Sequence, residues 1–153
     1  MATYTTQKSQ TYSTVVGQGG SRNLVTDGCT ITLTSAMTDN ANDEIELLWV
    51  PKGAVVVSVE LRCADIDSST GIIWDVGDDG DEDRLIAATT VGQTAATTTT
   101  LAAAGFLYKY TAATKIKAYV NTAVSGTFSA GTLYFRITYF VDENFSATNA
   151  VVS

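Results

Sequence analysis

Residues 54–65, AVVVSVELRCAD, carry the pattern that decides the fold class. Apolar residues occupy every second position and would share one face: Val55, Val57, Val59, Leu61 and Cys63. The opposite face would carry Ser58, Glu60 and Arg62. Because successive side chains of a strand point to opposite faces, this alternation predicts a β-strand with one buried face.

The same alternation recurs in seven further segments, which are CTITLT (29–34), EIELLWV (44–50), GIIWDVG (71–77), RLIAATTV (84–91), GFLYKYT (105–111), KIKAYVN (115–121) and GTLYFRITYFVD (131–142). The inward residues are expected to include Ile45, Leu47, Trp49, Ile72, Trp74 and Val76. About eight strands separated by turn residues predict an all-β jelly-roll or Greek-key β-sandwich. The low-complexity segment QTAATTTTLAAAG (93–105) is expected to form a loop or a short helix.

The organisation of the chain is that of one domain with polar ends. A length of 153 residues suits a single domain. Residues 1–27 have no clear period and contain Gly17, Gly19 and Gly20, so they are expected to form an extended N-terminal arm. The sandwich would then span 28–145, with a C-terminal tail at 146–153.

The composition restricts the partners and the compartment. A net charge of −7 and a pI near 4.3 argue against binding to nucleic acid or to an anionic membrane. The N-terminus lacks the basic start and apolar core of a signal peptide, so synthesis in a cytosol is expected. Cys29 and Cys63 fall on apolar faces and are expected to be reduced core residues.

Catalytic machinery is hard to find in this sequence. The chain contains no histidine, which excludes Ser-His and Cys-His nucleophile pairs and the usual zinc sites. No phosphate-binding glycine motif is present. We therefore expect no enzyme activity and no cofactor, and the remaining alternative in this class is a hydrolase that uses carboxylates such as Asp75.

The densest group of charged residues is DVGDDGDEDR at 75–84, where six carboxylates lie within nine residues. One hypothesis is a structural Ca²⁺ site, since Ca²⁺ prefers oxygen ligands. Its ligands would be Asp75, Asp78, Asp79, Asp81 and Asp83. The other is a solvated turn, in which Gly77 and Gly80 adopt positive φ and Arg84 neutralises part of the cluster.

Three aromatic residues, Tyr119, Tyr134 and Phe140, are predicted to face away from the core. Outward aromatic side chains on a sheet can anchor a subunit interface or stack on sugars. Strand surfaces also tolerate them without any such role.

The segments IIWDVGDDGDEDRLIAATT (72–90) and GTLYFRITYFVDEN (131–144) together resemble small virion proteins of tailed bacteriophages. The positions that carry the resemblance are a strand ending in an Asp-apolar-Gly-Asp turn, an acidic run, and an Asp-Arg-Leu step before a closing apolar strand. It covers roughly the last half of the chain, which also shares the Thr/Ala/Gly-rich texture and the polar N-terminal arm of that group.

This resemblance implies a capsid decoration (cement) protein made in the host cytoplasm and located on the capsid surface of the virion. Its partners would be the major capsid protein and itself, as a homotrimer. The N-terminal arm would pair with a neighbour, and Tyr119, Tyr134 and Phe140 would contact other subunits. The alternative is a carbohydrate- or receptor-binding β-sandwich module of a phage tail fibre.

Overall fold

The computed structural model describes residues 1–5 and 24–142, and most of them lie in nine β-strands. The strands are β1 (Thr3–Thr5), β2 (Val25–Leu33), β3 (Glu44–Val50), β4 (Ala54–Cys63), β5 (Ile73–Asp78), β6 (Asp81–Thr89), β7 (Ala96–Thr98), β8 (Thr114–Thr122) and β9 (Gly131–Val141). Within the described ranges the one helical element is a 3₁₀ turn at Ser35–Met37. This confirms the all-β class.

The strands form two sheets. Sheet I has the order β1-β3-β8-β5-β6, and sheet II has the order β2-β9-β4-β7. Every pairing is antiparallel except that of β1 with β3, which is parallel. Consecutive strands often lie in different sheets, so the chain crosses repeatedly between the two layers. The predicted β-sandwich is confirmed, with nine strands instead of eight.

The core lies between the two sheets and contains the inward side chains of both. Ile72, Trp74 and Val76 are fully buried, as predicted. The closing strand β9 alternates as expected, and its buried side chains are Leu133, Phe135, Ile137 and Tyr139. Each fully buried large aliphatic or aromatic side chain contributes about 1.5–3 kcal/mol to folding, so this core is the main source of stability.

Two β-bulges reverse the alternation that the sequence predicts. In β3 the register shifts between Glu46 and Leu48, so Leu48 and Val50 enter the core while Trp49 turns to the outer face. In β4 it shifts between Val56 and Ser58, so Val56 packs in the core instead of Val55. The predicted inward orientations of Trp49, Val55 and Val57 were therefore wrong, because one extra residue in a strand reverses the alternation of side chains across the bulge.

One predicted strand is absent, and two strands, β1 and β7, were not predicted. Residues 105–111 form turns, with a single isolated bridge from Lys109 to Val55. The edge strand β7 instead lies inside the low-complexity segment, where Ala96–Thr98 pairs with β4. The expectation of a loop or helix there was wrong for these three residues, whose threonines suit a pleated edge.

The ends of the predicted arm lie in described strands. Thr3–Thr5 pairs with β3, and β2 begins at Val25, before the predicted domain boundary at residue 28. Residues 6–23 of the predicted arm and the predicted tail at 146–153 lie outside the described residues. The roles assigned to them remain predictions.

Candidate interaction surfaces

The acidic turn joins β5 to β6, and Asp78, the last residue of β5, belongs to a packed network. Asp78 accepts hydrogen bonds from the Gly80 amide at 2.9 Å and from Arg84 Nε at 2.6 Å. The Arg84 guanidinium lies 3.9 Å from the centre of the Tyr108 ring. Arg84 therefore neutralises part of the cluster, as predicted, and fastens the hairpin to the 105–111 turns.

The glycines of this turn act differently from the prediction. Neither Gly77 nor Gly80 has a positive φ, whereas Gly53 and Gly92 do. A Cβ on Gly77 would lie 2.0 Å from the Asp81 carbonyl oxygen. Gly77 is therefore required for the close approach of the two strands.

Asp79, at the tip of the hairpin, pairs with a buried lysine of sheet I. Lys117 is 8% exposed, and its Nζ lies 2.5 Å from both Glu44 Oε2 and Asp79 Oδ1. Burial disfavours the ammonium charge, but the hydrogen bonds to Asp79 and Glu44 outweigh it and raise the pKa of Lys117. The cation thus holds the hairpin tip against the outer face of β3.

The remaining predicted calcium ligands have separate partners. Asp75 accepts hydrogen bonds from the Ala88 amide and Asn121 Nδ2, both at 2.6 Å. Asp81 lies 3.6 Å from Arg84. The pKa of Asp83 is raised by the neighbouring Asp81 carboxylate and by burial. Among residues 1–5 and 24–142, no three His, Cys, Asp or Glu side chains converge as a metal site would require. Calcium binding at this turn remains a prediction.

The three candidate interface aromatics do not lie together. Tyr134 and Phe140 are half-buried on the outer face of sheet II, whereas Tyr119 is on β8 in sheet I. Tyr119 faces away from the core but is only 5% exposed, and its hydroxyl has no hydrogen-bond partner. Burial raises the pKa of Tyr119, and nearby Lys117 opposes that shift.

The outer face of sheet II carries a hollow of about 520 Å³ that the sequence did not predict. Its lining includes Thr30, Arg62, Ala96, Thr97, Thr132 and Tyr134. Four of these residues form one row across the sheet, because Thr30 pairs with Tyr134, Tyr134 with Arg62, and Arg62 with Thr97. We call this the Arg62 hollow. The alternation of β4 predicts the outward direction of Arg62, but only the fold brings the four strands together.

A second residue that the sequence analysis missed is Asp67, in the loop after β4. Its carboxylate is 1% exposed and accepts hydrogen bonds from five backbone amides, those of Ser69, Gly71, Ile72, Ser125 and Gly126, at 2.7 to 3.2 Å. Burial disfavours the charge, but these bonds outweigh it and lower the pKa of Asp67 to about 2. Asp67 therefore ties the loop after β4 to the β8–β9 loop.

Both cysteines are buried and neither forms a disulfide, as expected. Burial raises the pKa of the Cys63 thiol to about 12, so the thiolate is scarce at neutral pH. Over residues 1–5 and 24–142, no helix has the length and apolar character needed to cross a bilayer.

The fold is similar to that of chains in three solved phage capsids. One is in the capsid asymmetric unit of cyanophage Pam1, with 26% identity, a TM-score of 0.68, and coverage of 90% of this chain and 98% of that chain. Another is in the capsid of Ralstonia phage GP4, with 24% identity, a TM-score of 0.77, and coverage of 92% and 99%. A third is in the acid-stable capsid of Helicobacter pylori bacteriophage KHP30, with 16% identity, a TM-score of 0.56, and coverage of 80% and 90%.

No protein-family model matches the chain, and no curated protein matches its sequence. The structural likenesses nevertheless confirm the resemblance to phage virion proteins that was drawn from residues 72–90 and 131–144.

Proposed function

We propose that this chain is a structural protein of a phage virion that binds the outside of the capsid as a decoration (cement) protein. The observation that carries the proposal is the likeness to the Pam1 capsid chain, which extends over 98% of that chain. The matched subunit is therefore a small one of similar extent, and a small accessory subunit is what decoration requires. The major capsid protein would be the partner, and the capsid surface the location.

The physical character of the molecule suits a bracing role. The sandwich holds its two sheets together through a continuous apolar core, so its outer faces can act as rigid contact surfaces. Those faces are rich in hydroxyl groups, such as Thr26 and Thr138 at 3.1 Å from each other. Acidic charge on an outer capsid protein also keeps it away from packaged DNA.

Binding, repeated over a symmetric shell, would be the whole mechanism. The half-buried Tyr134 and Phe140 on sheet II are the aromatic groups available for contact, whereas Tyr119 is already covered. We further propose that the protein associates with itself as a homotrimer, since each copy would then present several equivalent contacts to the lattice.

The test is co-sedimentation of the purified protein with capsids of the phage that encodes it, after those capsids have been stripped of it. We expect saturable binding, and an increase in the temperature at which the capsids release DNA. The double variant Tyr134→Ser, Phe140→Ser should bind more weakly. Tyr119→Phe is the matched control and should bind as the parent protein does.

Failure of the parent protein to bind stripped capsids would overturn the proposal. Binding to host-cell polysaccharide in the same experiment would instead favour the receptor-binding module of a tail fibre.

A further inference from the structure

Arg62 is a cation without a counter-ion in an acidic protein. Arg84, Lys115, Lys117 and Arg136 each form an ion pair with a carboxylate. Arg62 is exposed and forms no ion pair or hydrogen bond within the part of the chain that the structure describes. Glu60, two residues earlier on the same face, is already bound to Arg136. The five N–H donors of the Arg62 guanidinium are thus available to a partner.

The surroundings of Arg62 fit an anionic group. The Arg62 hollow has hydroxyl groups on several sides, from Thr30, Thr97, Thr132 and Tyr134. A guanidinium beside hydroxyl donors matches a carboxylate, which only accepts hydrogen bonds and can take two from one arginine. Small residues such as Ala96 leave room for a protruding turn.

Two exposed carboxylates without a cationic partner in the described residues lie on the β5–β6 hairpin. Arg84 neutralises Asp78 and Asp81, and Lys117 neutralises Asp79. Glu82 and Asp83 are exposed, and neither has a cationic partner among residues 1–5 and 24–142. The neighbouring Asp81 carboxylate raises the pKa of Asp83, so an added positive charge would relieve a repulsion there.

The hairpin and the hollow are too far apart to meet within one chain. Arg84 of the hairpin packs on Tyr108, and the same turn region binds the Ala54 end of β4 through the Tyr110 amide at 2.9 Å. Arg62 lies eight residues further along β4, which is roughly 26 Å at the rise of a strand. A contact between these surfaces must therefore join two copies.

We propose that the carboxylates of Glu82 and Asp83 of one copy bind Arg62 in the hollow of a second copy. The two surfaces differ, so the contact is heterologous, and repetition of it closes a ring when the rotation between copies permits. The inference rests on the self-association included in the proposed function. It identifies the surfaces that meet and gives a role to the acidic turn that needs no metal.

The experiment measures the mass of the full chain by size exclusion with light scattering over a range of concentrations. We expect the parent protein to have the mass of the proposed homotrimer. Arg62→Glu and the pair Glu82→Arg, Asp83→Arg should each weaken self-association about tenfold or more, since they place like charges in contact. Combining all three substitutions in one chain should restore the oligomer, because every contact in the ring then joins opposite charges again. Lys52→Glu, with the same change in charge on the β3–β4 turn, should leave the mass unchanged.

A second measurement keeps the test independent of charge reversal. Chains carrying Arg62→Cys and Asp83→Cys in one protein should form intermolecular disulfides on mild oxidation, because Cys29 and Cys63 are buried and do not compete. Circular dichroism checks that each variant is folded.

Three results would overturn the inference. They are a parent protein that is monomeric at every concentration, an Arg62→Glu protein with the parent mass, and a folded triple variant that does not regain the association lost by the separate charge reversals. Capsid co-sedimentation is measured separately on the same proteins. A monomer that still binds stripped capsids would refute the proposed contact and leave the decoration function standing.

Discussion

Asp67 and the acidic turn at 75–84 use carboxylates in opposite ways. The turn concentrates six of them, and three, Asp78, Asp79 and Asp81, form ion pairs with the Arg84 or Lys117 side chain. Asp67 stands in a polar loop, is 1% exposed and is bound by five backbone amides from two loops. A high density of charged residues in a sequence therefore does not show which single charge contributes most to the stability of the fold.

The largest difference between the two regions is expected when one acid in each is neutralised and the free energy of unfolding is measured. Asp67→Asn should lower the free energy of unfolding by about 3–5 kcal/mol, because buried amides lose a charged acceptor and the new NH₂ group opposes them. Asp83→Asn should change it by no more than about 0.5 kcal/mol, since Asp83 is exposed and contacts another acid. Urea unfolding at neutral pH measures both. Equal effects at the two sites would refute the distinction.

The contributions of Asp67 and Asp83 to stability should change with pH in opposite directions. The pKa of Asp67 falls from 3.8 to about 2 on folding, so its charge stabilises the fold above the unfolded value. That contribution, about 2 kcal/mol, is lost as the pH falls from about 4 towards 2. The pKa of Asp83 is raised on folding, so its contribution is present at low pH and lost as the pH rises.

Urea titrations between pH 2 and pH 7 test this expectation. The parent protein should lose stability below pH 4, and Asp67→Asn should show a correspondingly shallower loss. A parent curve that Asp67→Asn leaves unchanged in shape would contradict the assignment.

A smaller loss of stability is expected from substitution of Gly71, which lets the two loops approach each other around Asp67. A Cβ on Gly71 would lie 2.2 Å from Ser125 Oγ and 3.0 Å from the Ser125 nitrogen. Gly71→Ala should therefore cost about 1–3 kcal/mol through overpacking. Gly80→Ala in the acidic turn meets its nearest atom, Asp78 Oδ1, at 3.2 Å, and should cost less. Thermal unfolding of the two variants compares them, and a larger loss for Gly80→Ala would be the opposite of the expected order.

The smallest effect on Tm is expected when metal ions are removed with EDTA. A calcium ion at the turn would have to compete with Arg84 for Asp78 and with Lys117 for Asp79. We therefore expect the same Tm in millimolar Ca²⁺ and in EDTA. A Tm that rises with Ca²⁺ in the parent protein, but not in Asp79→Asn, would establish the calcium site instead.

Much of the fold follows from local pattern, and most of the candidate surfaces do not. Alternation in β9 predicts both its length and its buried face, because no bulge interrupts it. In β3 and β4 one extra residue reverses the face, and no local signal distinguished Trp49 from Leu48 or Val55 from Val56.

Asp67 shows why the sites were harder to predict. The run Asp67-Ser-Ser-Thr-Gly71 indicates an ordinary turn, and two of its five donors come from residues 58 and 59 positions away. Arg62 was placed on the correct face, but its lack of a counter-ion depends on which strands become neighbours.

Binding of the purified protein to stripped capsids of its own phage decides whether it is a decoration protein. We expect saturable binding with a fixed number of copies per capsid, and capsids that retain their DNA to a higher temperature when the protein is restored. Capsids that neither bind the protein nor gain stability from it would refute the decoration function.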